Sequence, residues 1–205
     1  VALNTPTSVA VDGAGNLYIA DIGNSYIRKV SGGSLTTLFQ VGGGYGLAAD
    51  AVGNLWVAAF NNDVVVKVPT SGAFSIVAGN QADGYSGDGG AATSASLSGP
   101  TGVALDAAGN LYIADYYNTV VRMVANGIIS TVAGSTAGTV GDGGSPTNAI
   151  LFSPQDSVSD GAGNLYIADT LHNRIRKVTN GVITTIAGTG QAGFGGDGGP
   201  AASAL

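Results

Sequence analysis

The stretch GNLYIAD, from Gly163 to Asp169, decides the fold of this chain because the chain contains a version of it four times. It recurs unchanged at Gly15–Asp21 and Gly109–Asp115, and as GNLWVAA at Gly53–Ala59. A Gly-Asn turn followed by a run of β-branched and aromatic residues is typical of a strand entered from a tight turn. Recurrence of such a motif along the chain predicts a repeat architecture, in which each copy marks one structural unit.

Aligned on this motif, the chain divides into four units within a single domain that spans residues 1–205. The units cover approximately residues 3–40, 41–96, 97–150 and 151–205. Within each unit, short apolar strands alternate with turns of Gly, Asn and Asp, as around Ile27–Val30 and Ile183–Ala187. Four short antiparallel strands in repeats of about 40 to 55 residues predict an all-β fold, the β-propeller, with four blades of four strands each.

A longer pattern surrounds each motif: P-x-x-V-x-x-D-x-x-G-N-L-Y-I-A-D, followed by I-R-K-V. Its copies run over Pro6–Val30, Gly44–Val68, Pro100–Val124 and Pro154–Val178. The pattern resembles the NHL-repeat β-propeller family, whose members serve as binding platforms in many settings and as enzymes in a few. Members of that family usually close with six blades. The resemblance therefore implies that these four blades form a segment of, or a subunit for, a larger ring or assembly; a closed ring of four is the alternative.

Composition narrows the classes of function. Gly accounts for 35 of 205 residues and all 13 acidic residues are Asp, a bias towards turns. The net charge of −6 argues against nucleic acid and anionic membranes as partners, and no apolar run is long enough to insert into a membrane. Without cysteine there are no disulfides or thiolate metal sites. Few Lys residues with abundant Gly, Ala, Ser and Thr favour a secreted or cell-surface bacterial protein.

An aspartate and an arginine occur together in three repeats and are lost together in the other. We predict structural ion pairs between Asp21 and Arg28, Asp115 and Arg122, and Asp169 and Arg176. In the second repeat these positions are Ala59 and Val66. Because a buried carboxylate without its arginine is costly, the joint loss indicates that the two side chains meet. The alternative is a catalytic role for these carboxylates, but a residue repeated in three blades serves the blade.

Two further motifs contain aspartate. The Asp before each Gly-Asn turn is predicted to accept hydrogen bonds from backbone N–H groups two or three residues on, and its spacing lacks the alternating ligands of a calcium loop. GDGG loops follow three of the blades, at residues 87–90, 141–144 and 196–199. They are either tight loops that only glycine can form or places where the backbone approaches a ligand or a cation.

Aromatic residues cluster in the loops predicted to emerge on one face of the propeller. As a ligand or partner face we predict Phe60, Tyr85, Tyr116, Tyr117, His172 and Phe194. Exposed aromatic side chains give contact area at a low cost in entropy, which binding faces exploit. The alternative is that these residues cover the blade tops and pack on the linkers.

The sequence does not support a catalyst. His172 is the single histidine and Glu is absent, whereas the resemblance implies several histidines for a lyase and a Glu ligand for a lactonase. We predict no catalytic residue, no metal site and no cofactor. The predicted function is a noncatalytic extracellular interaction or structural scaffold that binds protein partners, or copies of itself through its end blades. The alternatives are a carbohydrate- or peptide-binding module that uses the aromatic face, and a propeller lyase or hydrolase with Asp-bound Ca²⁺.

Overall fold

The computed structural model describes residues 2–205 and contains four antiparallel sheets, each built from four consecutive strands. Blades 1 and 2 contain β1 (Pro6–Val11), β2 (Leu17–Asp21), β3 (Tyr26–Ser31), β4 (Ser34–Gln40), β5 (Gly44–Ala49), β6 (Leu55–Ala59), β7 (Val64–Val68) and β8 (Ser75–Ala78). Blades 3 and 4 contain β9 (Pro100–Leu105), β10 (Leu111–Asp115), β11 (Val120–Ala125), β12 (Ile128–Ala133), β13 (Pro154–Ser159), β14 (Leu165–Asp169), β15 (Arg174–Thr179) and β16 (Val182–Ala187). The predicted all-β fold of four four-stranded blades is confirmed.

The turn before each motif strand is held by its aspartate. Oδ1 of Asp12 accepts hydrogen bonds from the N–H groups of Ala14 at 3.0 Å and Asn16 at 2.9 Å, and Oδ2 accepts one from the Asn16 side chain at 2.8 Å. The backbone donors therefore lie two and four residues on. The hydrogen bond from the Asn16 side chain leads the interactions that lower the pKa of Asp12 to about 2. The motif tyrosine completes the turn, since the hydroxyl of Tyr18 donates to the same carboxylate at 2.9 Å.

Apolar side chains fill the spaces between successive blades. Ile27 of blade 1 and Leu55 of blade 2 belong to one buried cluster. Val65 and Ile113 lie in the next cluster, between blades 2 and 3, and a third cluster joins blade 3 to blade 4. Each internal blade is thus covered on both faces, which explains strands that are apolar on both sides.

The four blades form an open arc. Within residues 2–205 the inner strands meet as β1–β5, β5–β9 and β9–β13, and no contact of comparable extent joins β13 to β1. Val9 in β1 is 61% exposed, whereas Val103 at the same position of β9 is 5% exposed. At the other end, Ile175 is 39% exposed, whereas its counterpart Val121 is fully buried. The alternative of a closed ring of four blades is therefore not the observed arrangement.

The helical content is limited to single 3₁₀ turns. Three of them occupy the linkers or chain end after blades 2, 3 and 4, at Ala92–Ser94, Pro146–Asn148 and Ala201–Ser203. Between residues 2 and 205 no helix has the length and hydrophobicity needed to span a bilayer.

Candidate functional site

The predicted ion pairs are the centres of larger clusters that join neighbouring blades. In blade 3, Nη1 of Arg122 lies 3.5 Å from Oδ2 of Asp115. Nη2 donates at 2.6 Å to Oδ1 of Asp88, in the GDGG loop that leads from blade 2. Because Arg122 and Asp115 are fully buried, the guanidinium compensates a buried carboxylate while it ties the preceding linker to the blade.

Blade 4 repeats this arrangement. Arg176 lies 3.4 Å from Asp169 in its own blade and 2.8 Å from Asp142 in the preceding GDGG loop. Two of the three junctions between blades thus share a carboxylate–arginine–carboxylate cluster, in which one carboxylate comes from the blade and one from the linker. In blade 1, Arg28 and Asp21 form the same pair at 3.3 Å.

The GDGG loops also extend the outer edge of the blade that follows. Gly89 N–H donates to the carbonyl oxygen of Ile129 at 2.8 Å, and Ile129 N–H donates to the carbonyl oxygen of Gly90 at 3.0 Å. Gly143 and Gly144 bond Ile183 of blade 4 in the same way. Gly89 has φ of +80°, a backbone conformation that favours glycine. These contacts support the interpretation of the internal loops as tight structural loops.

The junction between blades 1 and 2 lacks every member of the cluster. Blade 2 has Ala59 and Val66 in place of the pair, and the preceding linker has no GDGG loop. An apolar cleft of about 280 Å³, lined in part by Phe39, Val66 and Ile76, lies at this junction. The sequence analysis missed the linker carboxylate as a partner of the arginine. The signal was present, because the one linker without GDGG precedes the one blade without arginine.

Each end of the arc carries one side of a junction like those in front of blades 3 and 4. The head face of blade 1 contains Val9, Arg28 and Leu35. The tail face comprises Ile175 and Ala187 of blade 4 together with the final linker, residues 193–205. Within residues 2–205 no linker carboxylate lies within ion-pair distance of Arg28, and Asp197 in the last GDGG loop is exposed.

The pKa of the motif aspartate is shifted in opposite directions in blades 1 and 3. Burial raises the pKa of Asp115 to about 6 and outweighs the opposing hydrogen bonds, of which that from Asn118 is the strongest. At the open end the balance is reversed: the side-chain hydrogen bond from Asn24, with the N–H of Asn4 and Arg28, lowers the pKa of Asp21.

A second candidate site is an aromatic cleft at the inner end of the blades. The rings of Tyr45 and Phe60 lie 4.7 Å apart, those of Phe60 and Tyr117 5.7 Å apart, and those of Tyr117 and Tyr116 5.0 Å apart. These four residues line a space of about 490 Å³, which we call the inner cleft. The starts of the inner strands complete its wall with Thr7, Ser8, Gly46, Thr101, Gly102, Gln155 and Asp156.

Asp156 gives the inner cleft an acidic group. Its Oδ1 accepts a hydrogen bond from the N–H of Ser157 at 2.8 Å. Desolvation by the surrounding walls raises the pKa of Asp156 despite this hydrogen bond. The inner cleft therefore combines aromatic surface, hydroxyl groups and one exposed carboxyl group whose pKa is raised.

The residues of the predicted aromatic face lie in four places. Phe60, Tyr116 and Tyr117 share the inner cleft, together with Tyr45, which the sequence analysis did not select. Tyr85 lies elsewhere: its ring covers the guanidinium of Arg122 at 4.9 Å, and its hydroxyl hydrogen-bonds Thr131 at 2.7 Å.

Phe194 and His172 occupy the remaining two positions of that prediction. Phe194 lies in the final linker and is 94% exposed. Nδ1 of His172 is 3.0 Å from Oδ2 of Asp169, where Asn118 donates to Asp115 at 2.9 Å in blade 3. His172 thus takes the place of an asparagine that supports the motif carboxylate. Within residues 2–205, no three His, Asp or Glu side chains converge as they would around a metal ion.

Comparison with known proteins supports the type of repeat. The family model described as the Teneurin NHL domain matches residues 81–140, which run from the linker after blade 2 to the linker after blade 3. Over the matched residues the repeat is of the NHL type. The NHL resemblance predicted from the motif is therefore confirmed. No curated protein sequence matches the chain.

Solved structures share the fold of these NHL blades. A structural genomics protein of unknown function from Bacteroides thetaiotaomicron VPI-5482 superposes with a TM-score of 0.70 at 24% identity, over 85% of this chain and 47% of that one. A streptogramin B lyase gives 0.62 at 18% identity, over 88% and 54%. A chain of a nidogen/laminin complex gives 0.64 at 19%, over 86% and 60%. The chain thus spans about half to three fifths of the length of these structures, and the likeness concerns the fold.

Proposed function

We propose that this chain is a noncatalytic interaction scaffold that works outside the cell and binds protein partners, in particular copies of itself, through its head and tail faces. The observation that carries the proposal is the exposure of apolar side chains at the two ends of the arc whose counterparts are buried inside it. Val9 and Leu35 on the head face are exposed, whereas Val103 and Ile129 are buried at the same positions of blade 3. Exposed apolar surface of this kind is typical of a protein contact.

The tail face carries an exposed cleft at the position where the next blade packs in the internal junctions. Ile175, Ala187 and Leu205 line a cleft of about 410 Å³ on it. The corresponding face of blade 3, with Val121 and Ala133, is buried against blade 4. A sheet that lacks its neighbour exposes both apolar side chains and strand edges, and association covers both.

Structural roles account for most of the carboxylates, which supports a noncatalytic function. Those before the Gly-Asn turns accept hydrogen bonds from the turns, and those ending the motif strands pair with arginine or histidine. The rival is a lyase or hydrolase with Asp-bound Ca²⁺, and some solved structures with this fold are named as enzymes. Asp156 is the carboxylate through which such chemistry would act in the inner cleft. The location outside the cell is supported by the composition, and the same fold occurs in a nidogen/laminin complex.

Sedimentation velocity tests this function. The wild-type chain should sediment above its monomer mass of 20.0 kDa as its concentration rises to about 100 µM. The double variant Val9→Thr/Ile175→Thr makes both end faces polar and should weaken association at least tenfold. Val52→Thr is the matched control, because Val52 is 72% exposed in a turn of blade 2, away from both end faces. A wild-type chain that remains a monomer throughout, or a double variant that associates like the wild type, contradicts the proposal.

A second candidate function is binding of a carbohydrate or a peptide in the inner cleft. The contiguous rings of Tyr45, Phe60, Tyr117 and Tyr116 favour it, since stacked aromatic surface binds sugars and side chains. A glycan array and a library of cationic peptides serve as probes, the latter because Asp156 is acidic. Tyr116→Ala/Tyr117→Ala should weaken binding of any hit about tenfold or more, whereas Tyr26→Ala on blade 1 should not. Unchanged binding by the double variant would exclude the inner cleft.

A further inference from the structure

We propose that a second copy of this chain docks head to tail, with the final GDGG linker of one copy seated on blade 1 of the next. The contact would reproduce the internal junctions in front of blades 3 and 4. This inference rests on the proposed self-association and specifies the residues that perform it. Its evidence is that the head face retains the arginine side of an internal junction, and that the tail face retains the GDGG-linker side.

The arginine side of the junction is present in blade 1 at the same register. Arg28 pairs opposite Thr37 across β3 and β4, as Arg122 pairs opposite Thr131 in blade 3 and Arg176 opposite Thr185 in blade 4. In the internal blades this arginine binds the linker aspartate through Nη2. In blade 1 Arg28 contacts Asp21 through Nη1, and within residues 2–205 its Nη2 has no hydrogen-bond partner.

The outer edge of blade 1 is also ready to receive a linker. Leu35 lies opposite Val30, as Ile129 lies opposite Val124. The N–H and carbonyl groups of Ile129 both bond the GDGG loop, which covers that residue completely. Leu35 has no such loop over it and is 38% exposed. Its side chain and its outward-facing backbone groups are therefore available for the same contact.

The GDGG-linker side of the junction is present in the final linker. Counted from the GDGG loop, Asp197 corresponds to Asp88 and Asp142, and Phe194 to Tyr85, whose ring covers Arg122. Leu205 corresponds by the same count to Ser96 and Ile150, which are half-buried in the internal junctions. Leu205 is 55% exposed. The side chains that join blades elsewhere in the chain are thus presented to solvent at the tail.

The final linker already has the conformation of the internal ones. Gly188 N–H donates to the carbonyl oxygen of Ala201 at 3.0 Å, as Gly79 N–H does to that of Ala92 at 3.0 Å. Gly199 N–H bonds the carbonyl oxygen of Gly196 at 3.0 Å, and Gly198 has φ of +81°. A linker that is preformed without its receiving blade loses little conformational entropy on docking.

Charge favours this contact over other contacts between copies. The chain carries a net charge of −6, so two copies repel each other at most orientations. The proposed contact brings Asp197 to the guanidinium of Arg28, which is a contact of opposite signs. Because head and tail are different surfaces, the interface is heterologous, and it gives a ring where the rotation closes and a linear array where it does not. Two copies in a ring would place eight blades around one axis.

Complementation between two variants tests the proposal. Asp197→Arg places a cation against Arg28 and disables the tail, while Asp21→Ala/Arg28→Val disables the head by copying Ala59 and Val66, which blade 2 tolerates. Each variant alone should associate at least tenfold more weakly than the wild type in sedimentation velocity. An equimolar mixture retains one intact head and one intact tail, so it should form a one-to-one complex.

Controls separate this proposal from the broader one. Asp83→Arg makes the same charge change at another exposed linker aspartate and should associate like the wild type. If Asp197→Arg behaves like Asp83→Arg while Val9→Thr/Ile175→Thr abolishes association, linker docking is wrong and self-binding through the end faces stands. If both disabled variants lose association but their mixture does not recover it, head-to-tail pairing is overturned. A wild-type chain that does not associate at all removes both proposals.

Discussion

Replacement of Arg122 by valine should lower the free energy of unfolding by about 3–5 kcal/mol at about pH 8, because it leaves the carboxylate of Asp115 buried without its cation. Asp115 and Arg122 are both fully buried, so solvent cannot take over the lost interaction. The double variant Asp115→Ala/Arg122→Val copies the residues of blade 2 and should recover most of the loss. Urea denaturation of the wild type and both variants measures the three values.

The loss in Arg122→Val should become smaller as the pH falls. The pKa of Asp115 in the folded wild type is about 6, above the ordinary value of 3.8, because burial disfavours the charged form. A carboxyl with a raised pKa contributes stability that is fully present below its unfolded pKa and is lost as the pH rises through its folded pKa. Removal of the guanidinium raises this pKa further, so Asp115 becomes neutral in the folded variant at about pH 5.

Two results would contradict this account of the cluster. One is a loss in Arg122→Val that is equal at about pH 5 and about pH 8, since ionisation of Asp115 is the stated cause. The other is a double variant that is as unstable as the single one, because blade 2 shows that an apolar pair can occupy these positions. Circular dichroism before unfolding controls for a loss of the native sheet structure.

Truncation of Leu151 to alanine should lower the free energy of unfolding by about 2–5 kcal/mol, because it opens a cavity between blades 3 and 4. Leu151 is 1% exposed and packs in the cluster that contains Val121 and Ile183. Leu205 lies in the linker after blade 4, at the position of Ile150, and is 55% exposed. Leu205→Ala should therefore change the stability of the monomer by no more than about 0.5 kcal/mol.

The two leucine variants make the same substitution in equivalent linkers, at sites that differ in burial. Unfolding is measured under dilute conditions, where association contributes least. At higher concentration Leu205→Ala should weaken self-association, because head-to-tail docking would cover this side chain as the internal junction partly covers Ile150. Equal losses of stability in the dilute variants would show that the tail linker is already packed within the monomer, against the open end described above.

The fold could be predicted because each blade repeats the same local sequence signals for turns and strands. The Gly-Asn turn, held by Asp12 and its equivalents, begins the motif strand, and β-branched residues continue it, so four copies of one pattern give four sheets. The ion pair of Asp169 with Arg176 was also accessible, because the two residues are diagonal neighbours on adjacent strands and their equivalents disappear together in blade 2. Such contacts are local, and they leave a signal in the spacing of one repeat.

Contacts between repeats were harder to predict, because their spacing depends on how blades pack. Asp88 and Arg122 lie in different repeats, and only the joint absence of GDGG and arginine around blade 2 links them. The aromatic residues were expected on one face, but Tyr85 packs on the outer side of blade 3 whereas Tyr117 lies in the inner cleft. Both residues lie in loops. The distance of a loop from the axis is set by the packing of the blades and leaves no periodic signal in the sequence.

The distance between Arg28 of one copy and Asp197 of the next, in an experimentally determined structure of the associated chain, tests the central claim most directly. The account predicts a distance close to the 2.6 Å and 2.8 Å that join Arg122 to Asp88 and Arg176 to Asp142. It also predicts that Phe194 covers the guanidinium of Arg28. An associated structure in which Asp197 faces solvent, or in which two head faces meet each other, would contradict it.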